Sequence, residues 1–185
     1  MSTIKLKVGK NSSAKEVLKE LVVEIEEYLS EKEEENPVEE EYNKDYATIN
    51  GIKLRRKNEK LEYCEHFTFE EAGKIAAMFG GRAPTDDEIE TMLELGSTWD
   101  EEKKGIWIGE NHRLKKETNY STFLPAAGYR YYYNGQLSNP GVYGYYWSAT
   151  TYGDYSFGLV FTSGTVVPET FINRALGFSV RCVAE

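Results

Sequence analysis

The sequence predicts an α+β fold, and three observations carry that reading. Two helix starts with capping-box spacing, Thr68 with Glu71 and Thr85 with Glu88, stand near the middle of the chain; in such a box the cap side chain and the glutamate each satisfy an otherwise orphaned backbone N–H. Downstream, short apolar runs that alternate at period two are separated by glycine-rich connections, as short strands are. Upstream, Asn50-Gly51 divides Tyr46-Ala-Thr-Ile49 from Ile52-Lys-Leu-Arg55, and Asn-Gly accepts the positive φ angles of a two-residue hairpin turn. Helices followed by strands, without regular alternation between the two, fit α+β.

The chain opens with a strand signal, since Ile4, Leu6 and Val8 alternate with Lys5 and Lys7. Ser13 and Glu16 then cap a helix to about Lys32, on which Ala14, Leu18, Leu21, Ile25 and Tyr28 step by four and three. Such a stripe either packs on its own domain or pairs with copies of itself as a homo-oligomer. Residues 31–41 are almost all acidic around Asn36-Pro37-Val38, a solvated linker in which like charges repel and proline ends the helix. With the hairpin these parts form an expected N-terminal strand-helix-hairpin segment over 1–58, serving attachment or assembly, before a second domain over 59–185. Leu61-Glu-Tyr-Cys64 is a candidate first strand of that domain. Ala72, Ile75, Ala76 and Phe79 stripe its first helix, which Gly80-Gly81 ends. Ile89, Met92 and Leu93 stripe the second, which Gly96 ends. Gly105-Ile-Trp-Ile-Gly109 reads as a strand with Trp107 in the core.

Composition changes in the last third. After residue 127 there is no Lys, His or Met, and nine of the 14 tyrosines lie there. Tyrosine offers large amphipathic contact area at low conformational cost, and Ser, Gly and Asn adapt their hydrogen bonds around it. One reading is a binding face; the other is a β-rich domain with tyrosines in half-buried strand positions. In Phe157-Gly-Leu-Val-Phe-Thr162, Leu159 and Phe161 share one face of a strand, while Gly158, Val160 and Thr162 share the other. Trp147 is expected in the core, and Arg181 in a structural hydrogen bond or ion pair.

The chain's formal charge is −9 and its sequence pI about 5.0, which argues against nucleic acid or an anionic membrane as partner. From residue 118 onward Arg130, Arg174 and Arg181 balance Asp154, Glu169 and Glu185, so the surplus lies upstream. No run approaches the roughly 18 apolar residues of a membrane helix, and Met1-Ser-Thr-Ile-Lys-Leu-Lys-Val8 lacks the apolar core and cleavage pattern of a signal peptide. The expected location is a cytoplasm or a virion, without membrane insertion. Cys64 and Cys182 are expected as free thiols, with a disulfide the alternative.

Several motifs in order resemble a known family. Phe123-Leu-Pro-Ala-Ala-Gly-Tyr-Arg130, Gly135-Gln-Leu137, Gly144-Tyr-Tyr-Trp-Ser-Ala-Thr150 and Asn173-Arg-Ala-Leu-Gly-Phe-Ser-Val-Arg-Cys-Val183 resemble the C-terminal half of C-type-lectin-fold modules called major paralogous domains, and more narrowly the variable proteins of diversity-generating retroelements in viruses, bacteria and archaea. Phe67-Thr-Phe-Glu-Glu-Ala72 and Gly81-Arg-Ala-Pro-Thr85 are similar to the family's helix start and following turn, with Ala83 departing from the usual Leu. The resemblance covers about residues 62–185. It implies a C-type lectin-like fold with two helices and short antiparallel strands, and a variable region over about 128–185. In that family template asparagine codons are mutated at adenines, so variable positions carry residues reachable from such codons. The positions implied are Tyr131, Tyr133, Tyr143, Tyr145, Tyr152, Asp154, Tyr155, Phe157, Val160, Thr162, Phe171, Ile172 and Leu176.

Catalytic and metal signatures are weak. No glycine-rich phosphate loop stands between a strand and a helix. Asp86-Asp87 and Asp100-Glu101-Glu102 read as first-turn residues that complement a helix dipole, and His66 and His112 have no ligand at metal spacing. The resembled fold also includes sulfatase-activating oxidases, which need paired reactive cysteines, but Cys182 belongs to a scaffold motif. The Glu-Pro-Asn and Trp-Asn-Asp signatures of calcium lectins are absent. The expectation is a non-enzymatic display protein without cofactor or metal, binding a protein or glycan ligand on a target surface. A fixed adhesive or structural subunit of a surface or virion assembly is the alternative.

Overall fold

The computed structural model describes residues 42–184 except 63 and 169, so the N-terminal strand, helix and acidic stretch lie outside the described residues. Tyr46–Ile49 (β1) and Ile52–Arg55 (β2) form the hairpin, and Asn50 and Gly51 both take positive φ, 48° and 84°. Thr68 caps helix α1 (Phe69–Met78) and Thr85 caps helix α2 (Asp86–Leu93), each with the complete capping box. Between them lies the short β3 (Gly81–Arg82). Ser97–Asp100 (β4), Gly105–Gly109 (β5) and Ser121–Pro125 (β6) form a three-stranded antiparallel sheet. Tyr129–Arg130 (β7) pairs with Leu137–Ser138 (β8).

The longest pairing is the hairpin of Gly144–Tyr152 (β9) and Tyr155–Phe161 (β10), flanked by Val166–Val167 (β11) and Ile172–Asn173 (β12). Val183–Ala184 (β13) inserts between β2 and β3. Among the described residues the architecture is therefore α+β, with two helices and several antiparallel sheets.

The sheet pairing moves a domain boundary. Because β2 hydrogen-bonds β13, with Leu54 opposite Val183, the hairpin expected in the 1–58 segment belongs to the folded unit that begins at Tyr42. The candidate strand at 61–64 is a turn closed by a single Leu61–Cys64 bridge. The acidic run at 100–102 is likewise no helix start. It turns β4 into β5, where Asp100 Oδ1 accepts the N–H groups of Glu102 and Lys103 and Oδ2 accepts from the Trp107 indole at 2.9 Å.

The β9–β10 hairpin is covered on both faces. Tyr146, Leu159 and Phe161 pack into a core with Leu54, Ile89, Met92, Ile106 and Leu124. Trp147 on the opposite face enters a second core with Phe67, Ile75, Ala76, Ile172, Phe178 and Val180. Trp147 stacks on Phe178 with ring centroids 4.5 Å apart, and its indole N–H donates to the Phe67 carbonyl at 2.6 Å. Large interior rings carry much apolar burial, and a buried indole requires an acceptor. Trp147→Ala is expected to lower unfolding stability by about 3–5 kcal/mol, read as a shift in urea midpoint; a change below about 1 kcal/mol would remove the second core from its supporting role.

Candidate ligand-binding face

The expected variable residues fall into two aromatic groups at opposite ends of β9. The first surrounds its start. Tyr129 meets Tyr131 and Tyr145 at 5.0 Å each, Tyr131 meets Tyr133 at 5.4 Å, and Tyr143 stacks on Tyr145 at 5.8 Å. Edge-to-face and offset contacts at these separations are the favoured geometries for aromatic pairs. Val160 is the cross-strand partner of Tyr145, so both project from one face of the sheet. Thr162, just past β10, is half-buried and donates its backbone N–H to the Thr165 carbonyl, closing that turn.

The second group surrounds the far end of the hairpin. Phe171 meets Phe157 at 4.7 Å and Tyr152 at 5.7 Å, and Tyr152 pairs with Tyr155 across the turn holding exposed Asp154. Arg174 fixes this tip by donating from Nη2 to the carbonyls of Gly153 and Tyr155, both at 3.0 Å. Seven residue steps along β9 separate Tyr145 in the first group from Tyr152 in the second, about 23 Å in an extended strand, while Val160 and Phe157 bring the groups within three steps of each other on β10.

Exposure divides the thirteen positions. Tyr133, Tyr152, Tyr155 and Phe171 are each more than half exposed, as is Tyr132, which was not among the expected sites. Tyr131, Tyr143, Tyr145, Phe157, Val160, Thr162 and Leu176 are half-buried. Ile172 is a correction: at 5% exposure it fills the second core, and its Cδ1 would lie 2.6 Å from a Cβ placed on Gly158. It pairs with Ser156 on β10, so the strand turns its side chain beneath the sheet while Phe171 points out. Leu176, Tyr145 and Val160 also pack against that core. Tyr132 was findable from the same tyrosine run, because three consecutive tyrosines cannot share one buried face.

The other polar groups here are structural. Arg181 donates to Asn58 Oδ1, the Arg55 carbonyl and the Phe123 carbonyl. His66 Nε2 meets the Ala127 carbonyl at 3.1 Å and His112 Nδ1 meets Thr98 Oγ1 at 2.7 Å, and burial pushes both imidazoles below the ordinary histidine range. Cys64 and Cys182 are free thiols. Among the described residues no group of three or more His, Cys, Asp or Glu could hold a metal ion, and no helix is long and apolar enough to cross a membrane.

Comparison with protein families matches residues 101–183 to a domain of unknown function (DUF8237). No curated protein and no solved structure matches the chain significantly. The matched segment holds both aromatic groups and the β9–β10 hairpin, and leaves out β1, β2, α1 and α2, which complete the two cores.

Two predictions follow from burial. Tyr132→Ser, Tyr133→Ser and Tyr152→Ser should each change stability by no more than about 0.5 kcal/mol, whereas Tyr145→Ser, which strips a ring 4.8 Å from Phe178, should cost about 2–3 kcal/mol. Equal costs in urea denaturation would dissolve the distinction between rim and support. At high pH the Tyr145 phenol, usual value 10.0, is pushed up to about 12 by burial, and so is the Cys182 thiol, usual value 9.0. Above about pH 9 the unfolded chain therefore releases protons that the folded chain keeps, and stability falls as pH rises toward 12. Melting temperature should decline over that range, and Cys182→Ala should flatten the decline even though it lowers the starting value; an unaltered slope would contradict the thiol's share.

Proposed function

We propose that this chain is a non-enzymatic ligand-binding display protein with a C-type lectin-like domain, whose C-terminal face is diversified by a retroelement to recognise varied protein or glycan ligands. The observation that carries the reading is the coincidence of the implied variable positions with the two aromatic groups. Twelve of the thirteen keep part of their surface, on loops and hairpin ends held by a doubly packed sheet. Exposed tyrosines on a rigid support give contact area without much ordering on binding. The near-neutral charge after residue 118 favours burial and shape over long-range attraction. The ligand is a protein or glycan on a target surface, and neither cofactor nor metal enters the mechanism.

Sequencing the 3′ end of the gene and its flanking DNA from many individuals of one population tests this. Changes should concentrate at the codons of Tyr131, Tyr133, Tyr143, Tyr152, Asp154, Tyr155 and Phe171, beside a near-copy rich in asparagine codons. Codon 172 should stay apolar, because its side chain is interior. Fixed codons and no near-copy would remove diversification and leave a dedicated adhesive or structural module.

A further inference from the structure

We propose that the cleft beside Arg181 binds a small organic carboxylate. This inference does not rest on the display reading, because none of its residues belongs to the thirteen implied positions. The cleft has a volume of about 420 Å³ and lies between the residues after β2, the end of β6 and the segment holding Ser179 and Arg181. That is within the range of small-ligand pockets. Its charged lining sets Arg56, Lys57, Lys60 and Arg181 against Glu65 and Glu117. Four cations less two carboxylates leave a local surplus of two positive charges, in a chain whose formal charge is −9.

Both carboxylates are already engaged. Glu117 meets Arg56 at 2.5 Å and Glu65 meets Lys60 at 3.8 Å. Arg56 also donates to the carbonyls of Asn43, Thr118 and Ser121. Lys57 and Arg181 remain. Lys57 is exposed, with no carboxylate in ion-pair distance among the described residues. Arg181 is 3% exposed, yet its hydrogen bonds at 2.8, 2.9 and 2.9 Å all end on neutral oxygens. Glu117 and Glu59 both act on it electrostatically, but the first carboxylate pairs with Arg56 at 2.5 Å and the second with Arg55 at 3.3 Å. A buried cation is ordinarily met by an opposite charge, and a guanidinium has five N–H donors to offer.

Ser179 is the independent sign. It is 1% exposed, it lines the same cleft, and its Oγ has no hydrogen-bond partner. Orphaned buried hydroxyls are costly, and a carboxylate oxygen would accept its proton. Asn58 is held in place by donating to the Tyr146 hydroxyl at 3.1 Å while accepting from Arg181. Phe123, Pro125 and Ala127 give the cleft an apolar wall for a carbon skeleton. That wall, with a planar guanidinium at the floor, favours a carboxylate on an organic body over inorganic phosphate.

Benzoate is titrated into the isotope-labelled full chain, and the amide resonances of Asn58, Ser179 and Arg181 are followed, with inorganic phosphate and sodium chloride at matched ionic strength for comparison. Benzoate should shift these resonances saturably, with a Kd on the order of 1 mM. Lys57→Ala and Ser179→Ala should each weaken it about tenfold, the usual scale of one charge-assisted hydrogen bond. Among the described residues neither side chain has a hydrogen-bond or ion-pair partner, so both variants should fold normally. The inference is overturned by shifts that are alike for all three salts, by a preference for phosphate, by benzoate shifts that neither substitution weakens, or by no saturable shift.

Discussion

The fold depends on the way the segment from Gly177 to Val183 is threaded through it. Gly177 exchanges both backbone bonds with Arg130, Phe178 does the same with Phe67, and Ser179 donates to the Tyr145 carbonyl while accepting from the Trp147 N–H. Val180 and Cys182 then receive the N–H groups of Glu59 and Arg55, and Val183 pairs with Leu54 and Arg82. Six of these seven residues thus satisfy backbone groups of β7, α1's approach, β9, β2 and its following turn, and β3. Since buried backbone polar groups must be paired, none of those elements keeps its place without this segment. Phe178 and Arg181 extend the same role through their side chains, one by stacking on Trp147 and the other by bridging β2 and β6.

This threading sets what the aromatic groups can do. The face of β9–β10 that carries Tyr145, Trp147 and Val160 is covered at its middle by Phe178 and Ile172 and left open only at its two ends. Residues at those ends touch the scaffold on one side and solvent on the other, so replacing them alters contact chemistry with small packing loss. Gly158 records the constraint in reverse: any side chain there would meet Ile172 and the Tyr146 carbonyl. Close packing transmits a volume change at the middle to every neighbour, whereas a rim position relaxes into solvent.

Much of the local structure was legible in the sequence because local rules govern it. The two capping boxes, the Asn-Gly turn and the central strand Gly105–Gly109 each follow from residues within a few positions of one another. Trp147 and Arg181 were legible as core and structural residues from type and context. Long-range pairing was not. Nothing in Ile52-Lys-Leu-Arg55 signals that it would pair with Val183, so the hairpin was expected outside the domain. Period-two alternation separated the faces of β10 correctly, but it does not say whether the second face meets water or another core. Ile172 was misplaced for that reason, as a two-residue strand carries no readable period.

The division of the aromatic face into two groups bears on how a ligand would be held. A single small ligand cannot span the roughly 23 Å of strand from Tyr145 to Tyr152, so simultaneous contact with those two outer ends requires an extended partner such as a folded protein surface or a long chain. Two separated contacts on one rigid sheet act as linked sites. The second contact forms at a high effective concentration once the first is made, and that gain vanishes when the spacing is wrong. Arg174 matters in this light, because it pins the distal tip at Gly153 and Tyr155 from beneath while lying 4.9 Å from the Phe69 ring of α1. With that tie the distal group keeps a fixed distance from the tyrosines around Tyr145. Substitution at the exposed positions would then change what each end touches without changing the span between them.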